Sequence, residues 1–125
     1  MAATAPAPWP TELRLQKGGK TLAITFDSGE HFDLAAEYLR VRSPSAEVQG
    51  HSPSERRTVA GKENVAIIEI HPIGNYAVRL TFDDMHATGI FSWEYLFELG
   101  RNRDKYWNEY LHELAAKGLS RTALV

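Results

Sequence analysis

The sequence contains no cysteine among its 125 residues. This absence excludes disulfide bonds, thiolate metal sites and cysteine nucleophiles. It also suits a reducing compartment, so we expect a cytoplasmic protein. No apolar run approaches the roughly 20 residues that a membrane-spanning helix needs. The opening MAATAPAPWP lacks both a basic residue and the apolar centre of a secretory signal. Its alternating alanine and proline predict a disordered tail over residues 1–10.

Excess charge of one sign is missing as well. The chain has 14 Lys and Arg residues against 16 Asp and Glu residues, which gives a formal net charge of -2. The longest basic run, Arg56-Arg57, is too small for a nucleic-acid patch. We therefore expect neither nucleic acid nor a membrane surface as a partner. We also expect the protein to be a monomer. The glycine-rich motifs of nucleotide cradles and the GxSxG elbow of serine hydrolases are also absent.

What is present is the pattern of short antiparallel strands. Apolar residues alternate with polar ones at 22–26 and again at 76–82, which places each apolar set on one face of a strand. The run from Val65 to Ile70 is nearly all apolar and β-branched, which is typical of a central strand buried on both faces. Gly18-Gly19, Gly29 and Gly74 supply turns between these strands.

Helices are predicted after the strands. LAAEYLRV and WEYLFEL read as short helices, and Ser92 is a suitable N-cap for the second. The segment 102–118 has an apolar stripe and predicts a longer helix, followed by a tail at 119–125. The polar segment 43–64 predicts a mobile loop. Together these patterns predict one α+β domain over residues 11–118. It would be a twisted antiparallel sheet of five to six short strands with two short helices and a longer C-terminal helix.

Two stretches of the chain are alike. ITFDSGEHFDLAAEYL begins at Ile24 and LTFDDMHATGIFSWEYL begins at Leu80. Each runs from Thr-Phe-Asp through a turn and a histidine, either His31 or His86, to Glu-Tyr-Leu. Either the chain contains two copies of a strand–turn–strand–helix unit, or common turn chemistry reuses the same residues. Two copies are too few for a solenoid, but they can pair around a shared core.

The second stretch also carries a family resemblance. IGNYAVRLTFDDMHATGIFSWEYL, from Ile73 to Leu96, resembles the gamma-butyrobetaine hydroxylase-like N-terminal domain, and the likeness extends over about Leu13 to Gly100. That family occurs as stand-alone small bacterial proteins of unknown function. It also occurs fused to P-loop ATPases of iron–sulfur cluster assembly, and as the N-terminal domain of carnitine-pathway dioxygenases. The resemblance implies an accessory domain with an unknown protein partner, in iron–sulfur assembly or metalloenzyme machinery.

The resemblance also bears on metal. In the dioxygenases this domain binds a structural zinc through three cysteines and a histidine, and the cysteines follow a motif similar to Tyr-Leu-Arg at 38–40. The matching positions here are Ser43, Ser45 and Val48, and only the histidine remains, as His86. Structural zinc needs four nitrogen or sulfur ligands. The resemblance therefore implies that this zinc site is absent, and we expect no cofactor. Met85 also replaces the glycine usual before that histidine.

One alternative from a different class is a small metal-dependent oxidoreductase. His31-Phe32-Asp33 is a His-x-Asp, and with a distant histidine such as His86 it imitates the two-histidine, one-carboxylate site of iron oxygenases. The simpler interpretation is that His31 and Asp33 lie on a surface and that His86 belongs to a turn. No catalytic residue is therefore assigned.

Aromatic residues concentrate late in the chain. Most should pack between the last helix and the sheet, and any left exposed would mark a binding surface. The candidates for an interaction surface are Trp93, Tyr95 and Trp107. We accordingly expect a small non-catalytic interaction domain.

Overall fold

The computed structural model describes residues 8–123, so positions 1–7 of the predicted N-terminal tail lie outside the described residues. Pro8 and Trp9 lead directly into the first strand. The regular elements follow in chain order: β1 (Pro10–Gln16), β2 (Thr21–Phe26), β3 (His31–Ala35), α1 (Ala36–Val41), α2 (Ala46–Gln49), β4 (Ile67–Ile73), β5 (Ala77–Phe82), β6 (Gly89–Ser92), α3 (Trp93–Arg101) and α4 (Arg103–Ala116). Across residues 8–123, none of the helices combines the length and apolar character needed to cross a bilayer.

The six strands form two antiparallel sheets of three strands each, in the orders β1-β2-β3 and β4-β5-β6. The α+β class is confirmed, but the prediction of a single sheet is wrong. Each sheet consists of consecutive hairpins, and β3 runs directly into α1, so the chain leaves the first sheet at its edge. The inner faces of both sheets contribute to one core, which includes Leu22, Ile24, Phe26, Leu34, Val78, Leu80, Phe82 and Phe91.

The prediction of a central strand at Val65 to Ile70 is also wrong. β4 lies at the edge of its sheet, and within residues 8–123 its one ladder partner is β5. Its register shifts between Ile67 and Glu69, which marks a bulge, and Ile68 in that bulge is 60% exposed. An apolar run in a sequence does not reveal a bulge. The extra residue of the bulge can be as apolar as its neighbours, although it has no partner on the adjacent strand.

The two similar stretches are two structural copies. In the first copy Phe26 N–H donates to Glu30 O, and in the second Phe82 N–H donates to His86 O, both at 2.9 Å. Each copy has a seven-residue first strand with a bulge near its start, a six-residue second strand, and a helix directly after its third strand. The sequence pairing of His31 with His86 is wrong, because the equivalent of His86 is Glu30. The connection between β5 and β6 has six residues, two more than the four between β2 and β3.

The connecting and C-terminal segments lie against the two copies. The predicted loop 43–64 contains α2 and a single 3-10 turn at Pro53–Glu55. Beyond α4, Ser120 O accepts a hydrogen bond from Gly61 N–H at 2.9 Å. The Arg121 guanidinium donates to both oxygens of the buried Glu37 carboxylate, at 2.7 and 2.8 Å. The described part of the predicted tail is thus bonded to the connecting segment and to α1.

Equivalent turn positions give a matched pair of variants. Met85 has a φ of 73° and is 84% exposed, while its counterpart Gly29 has a φ of 90°. Left-handed backbone costs a residue with a Cβ about 1–2 kcal/mol, and glycine loses more chain entropy on folding, by about 0.5–1 kcal/mol. We predict that Met85→Gly raises the free energy of unfolding by about 0.5–1 kcal/mol in urea titrations.

The control is Gly29→Ala, since a Cβ at that position would meet no atom within 4 Å. It should lower the free energy of unfolding by about 1 kcal/mol through backbone strain alone. A destabilised Met85→Gly variant would contradict the strain argument.

Candidate functional site

The most highly organised polar group of the second copy surrounds His86, in the turn between β5 and β6. The backbone fixes this residue twice: its N–H donates to Asp84 Oδ1 at 3.1 Å, and its carbonyl accepts from Phe82 N–H at 2.9 Å. Its ring packs against Phe82, with 6.0 Å between the ring centroids. The turn therefore directs the imidazole inward, and His86 is only 4% exposed.

Both ring nitrogens of His86 have partners from the segment after α1. Nε2 lies 2.8 Å from Ser43 Oγ, and Nδ1 lies 3.0 Å from Glu47 Oε2. Burial, aided by the Arg40 charge, lowers the pKa of His86 even though Glu47 acts in the opposite direction. The ring is therefore neutral at physiological pH. Since a carboxylate only accepts, Nδ1–H donates to Glu47 and Nε2 accepts from the Ser43 hydroxyl.

Hydrogen bonds around α2 hold these partners in place. Ser45 is the N-cap of α2 and accepts from Glu47 N–H, and its hydroxyl lies 2.7 Å from Thr88 Oγ1. Gln49 donates its side-chain amide to Ser43 O at 2.9 Å. We call Ser43, Ser45, Glu47, His86 and Thr88 the histidine clasp, because its bonds tie the 43–49 segment to the β5–β6 turn.

The order Ser43–His86–Glu47 matches the hydroxyl–imidazole–carboxylate relay of serine hydrolases. Here, however, the Ser43 hydroxyl is inaccessible to solvent. Ser43 is fully buried, and a Cβ on Gly89 would collide with its Oγ, so the strand packs directly on it. The same oxygen also accepts from Ser45 N–H at 3.3 Å. No substrate carbon can approach Ser43, so the arrangement stabilises structure.

Three clasp residues, Ser43, Ser45 and His86, are positions that the resemblance matches to zinc ligands, and the fourth matched position is Val48. Ser43 lies beside His86 as that match implies, Ser45 donates its N–H to Ser43 Oγ, and Val48 is buried on α2. Two hydroxyls, a hydrocarbon and one imidazole do not fit zinc, because the thiolates that would bind it are missing. Both nitrogens of the imidazole are already engaged. Within residues 8–123, moreover, no three His, Asp or Glu side chains are grouped to hold an ion.

An ion group joins the clasp to α1. Asp84 Oδ2 lies 2.8 Å from Arg40 Nε and 2.7 Å from Lys62 Nζ. Burial of the Asp84 carboxyl acts to raise its pKa, but the hydrogen bonds from Lys62, Arg40 and the His86 backbone outweigh burial and lower the pKa to about 2. The carboxylate therefore stays ionised at any physiological pH and fixes the turn that positions His86.

The other proposed metal residues lie on the first sheet. His31 Nε2 is 2.9 Å from Asp33 Oδ1, and its Nδ1 is 2.8 Å from Thr25 Oγ1. The side chains of His31 and Asp33 are 48% and 60% exposed. The structure brings this pair together but does not bring His86 to it, so the three residues form no metal group. His51, His71 and His112 are exposed.

The structure places the three candidate aromatics differently. Tyr95 is half-buried and donates its hydroxyl to Arg42 O at 2.5 Å. Trp107 packs against Tyr38 and Tyr110 beneath the Arg121 guanidinium. Their polar atoms and ring faces are largely occupied within the chain.

Trp93 is also half-buried and packs against the core. Its ring is 6.5 Å from that of Trp9, which is 50% exposed, and its indole N–H donates to Asn75 O.

Sequence reasoning missed the main partners of His86. The resemblance placed Ser43 at a ligand position, which was the available signal that it lies beside the histidine. Nothing in the sequence pointed to Glu47, Arg40 or Lys62. Their contacts join segments about 20 to 45 residues apart, and no local pattern records such contacts.

Removing the buried hydroxyl tests the clasp. Ser43→Ala leaves Nε2 of His86 buried without a donor, so we predict a loss of about 1–3 kcal/mol in the free energy of unfolding. Ser54→Ala removes an exposed hydroxyl of the same segment and should change the free energy of unfolding by less than about 0.5 kcal/mol. Equal effects of the two changes in urea titrations would argue against a stabilising clasp.

The neutral imidazole predicts a pH dependence. Because folding lowers the pKa of His86 below its ordinary 6.5, the unfolded chain binds this proton more readily. The contribution to stability is complete above about pH 6.5 and declines as pH falls from there toward the folded-state pKa. In His86→Gln the free energy of unfolding should change less between pH 7 and 5 than in the unaltered chain. His51→Gln, an exposed control, should show the same pH dependence as the unaltered chain. An unchanged slope in His86→Gln would refute the assignment.

Comparisons with known proteins identify a family and similar structures. The model of a family described as gamma-butyrobetaine hydroxylase-like, N-terminal, matches residues 13–97. One solution NMR structure is 44% identical with a TM-score of 0.82, covering 96% of this chain and 94% of that one. A second is 45% identical with a TM-score of 0.81, covering 100% and 93%.

A crystal structure from Acidithiobacillus ferrooxidans is 38% identical with a TM-score of 0.60, covering 73% and 91%. It is described as a protein of unknown function in the DUF971 family. A search among curated proteins finds no match.

Proposed function

Because the chain belongs to the gamma-butyrobetaine hydroxylase-like N-terminal domain family, we propose that it is a non-catalytic accessory domain that binds a protein partner. The observation that carries this proposal is the sealed clasp. Ser43 and His86 are the best-aligned reactive pair in the described chain, yet they are 0% and 4% exposed. A hydroxyl that no substrate can reach performs no transfer chemistry.

The remaining titratable pairs favour the same proposal. His31 and Asp33 are bonded to each other on an open sheet face, where water surrounds them and nothing encloses a substrate. Catalytic groups are normally gathered in a concave site that perturbs their pKa values. The pKa of Asp84 is strongly perturbed, but Arg40 and Lys62 use its charge to hold a turn.

The partner is proposed from family context. The resemblance links such domains to ATPases of iron–sulfur assembly and to dioxygenases, so we propose a protein of metal-cluster or metalloenzyme handling, met in the cytoplasm. The near-neutral charge supports a protein rather than nucleic acid. We propose that the domain acts as a monomer that recruits or positions this partner.

Metal titration of untagged, ¹⁵N-labelled protein separates the module from the enzyme. Anaerobic Fe(II) additions should produce no saturable shifts confined to His31, Asp33 and His86. In parallel, cross-linking in native extract should capture one protein at a fixed ratio to the domain. Stoichiometric Fe(II) binding at those three residues, together with no captured protein, would instead support the metal-dependent oxidoreductase.

A further inference from the structure

The outer faces of the two sheets differ, although the sheets are built alike. On the first sheet the exposed polar side chains bond to one another. Arg14 lies 2.7 Å from Glu12, and His31 lies 2.9 Å from Asp33. This face is polar and internally paired, so it has little to gain from a partner.

The outer face of the second sheet is more apolar. In its register His71 pairs with Arg79 and Arg79 with Ile90, so these three form one row across β4, β5 and β6. Ile90 is 46% exposed, and Ile68 in the adjoining bulge is 60% exposed. We call this surface the second outer face; it comprises Glu69, His71, Arg79, Thr81 and Ile90, together with the exposed bulge residue Ile68 at its β4 edge.

Arg79 lies at the centre of this face with an uncompensated charge. Its Nε is buried without an acceptor among residues 8–123, and no described carboxylate lies within ion-pair distance of its guanidinium. Glu69 is diagonal to it across the ladder but does not pair with it. A partly buried guanidinium that pairs in register with the exposed Ile90 is complementary to a carboxylate flanked by apolar side chains.

The β4 edge of this sheet is poorly suited to pairing with a partner strand. Pro72 lacks a backbone N–H, and the bulge at Ile68 interrupts the ladder, so both features of β4 oppose the addition of a strand. Both features of β4 make this edge less suited to a partner than the face of the sheet.

We propose that the second outer face docks a protein segment that presents a carboxylate between apolar side chains. The carboxylate bonds the Arg79 guanidinium, and the apolar side chains cover Ile68 and Ile90. The inference rests on the proposed function, since it supplies the chemistry of that partner and the place where it binds.

Three capped pentapeptides serve as probes, each with a central aspartate, asparagine or lysine between leucine and valine residues. Added to ¹⁵N-labelled full-length protein, the aspartate peptide should shift the amides of β4, β5 and β6 around Arg79 and bind at least about tenfold more tightly than the lysine peptide. Arg79→Gln should abolish that preference. Ile90→Ser should weaken all three peptides together, because it removes apolar contact.

The controls are Arg14→Gln and Asp33→Ser, which change charged or polar positions of the first sheet and should alter nothing. Equal affinity for the three peptides, no binding at millimolar concentration, shifts elsewhere, or an unaltered preference in Arg79→Gln would each overturn the inference. Capture from native extract distinguishes the two proposals. If the double variant Ile68→Ser/Ile90→Ser still captures the partner, docking at the second outer face is refuted and the proposed function stands. If the unaltered chain captures no partner, the proposed function is refuted.

Discussion

A three-stranded sheet with one apolar face must bury that face against another element. Here the inner faces of both sheets are buried in one core, to which α1 and α3 also contribute. Phe26 and Phe82 occupy equivalent positions at the ends of β2 and β5 and are both almost completely buried in the shared core. The mutual burial of these faces positions everything else, because the turns after Phe26 and Phe82 set where each third strand and its helix begin.

The two copies differ at positions outside the shared core. At the turn after the second strand, the first copy has Glu30, which reaches the surface, and the second has the buried His86. The segment between the copies packs over the second turn only, so the inward imidazole meets Ser43 and Glu47 there. The second copy thus contains a buried polar network where the first has a surface turn.

Burial decides what the clasp residues do. The same Ser–His–carboxylate order serves catalysis when its hydroxyl opens into a cleft, and it serves stability when strand backbone covers that hydroxyl. Neutral His86 satisfies both neighbours without burying a net charge of its own, and Arg40 and Lys62 compensate Asp84 at the margin. The fold therefore holds its connecting segment with hydrogen bonds and ion pairs that involve no thiol.

The sequence by itself determined the local features: the α+β class, the alternating faces of β2 and β5, the N-cap at Ser92, and the duplicated pattern. It did so because alternation and turn chemistry are properties of neighbouring residues. Tertiary structure alone decided that there are two sheets, that Ile68 is exposed on an edge strand, and that Ser43, Glu47 and His86 meet. Those outcomes depend on which surface covers which, and a period of two residues identifies a buried face without identifying what lies against it.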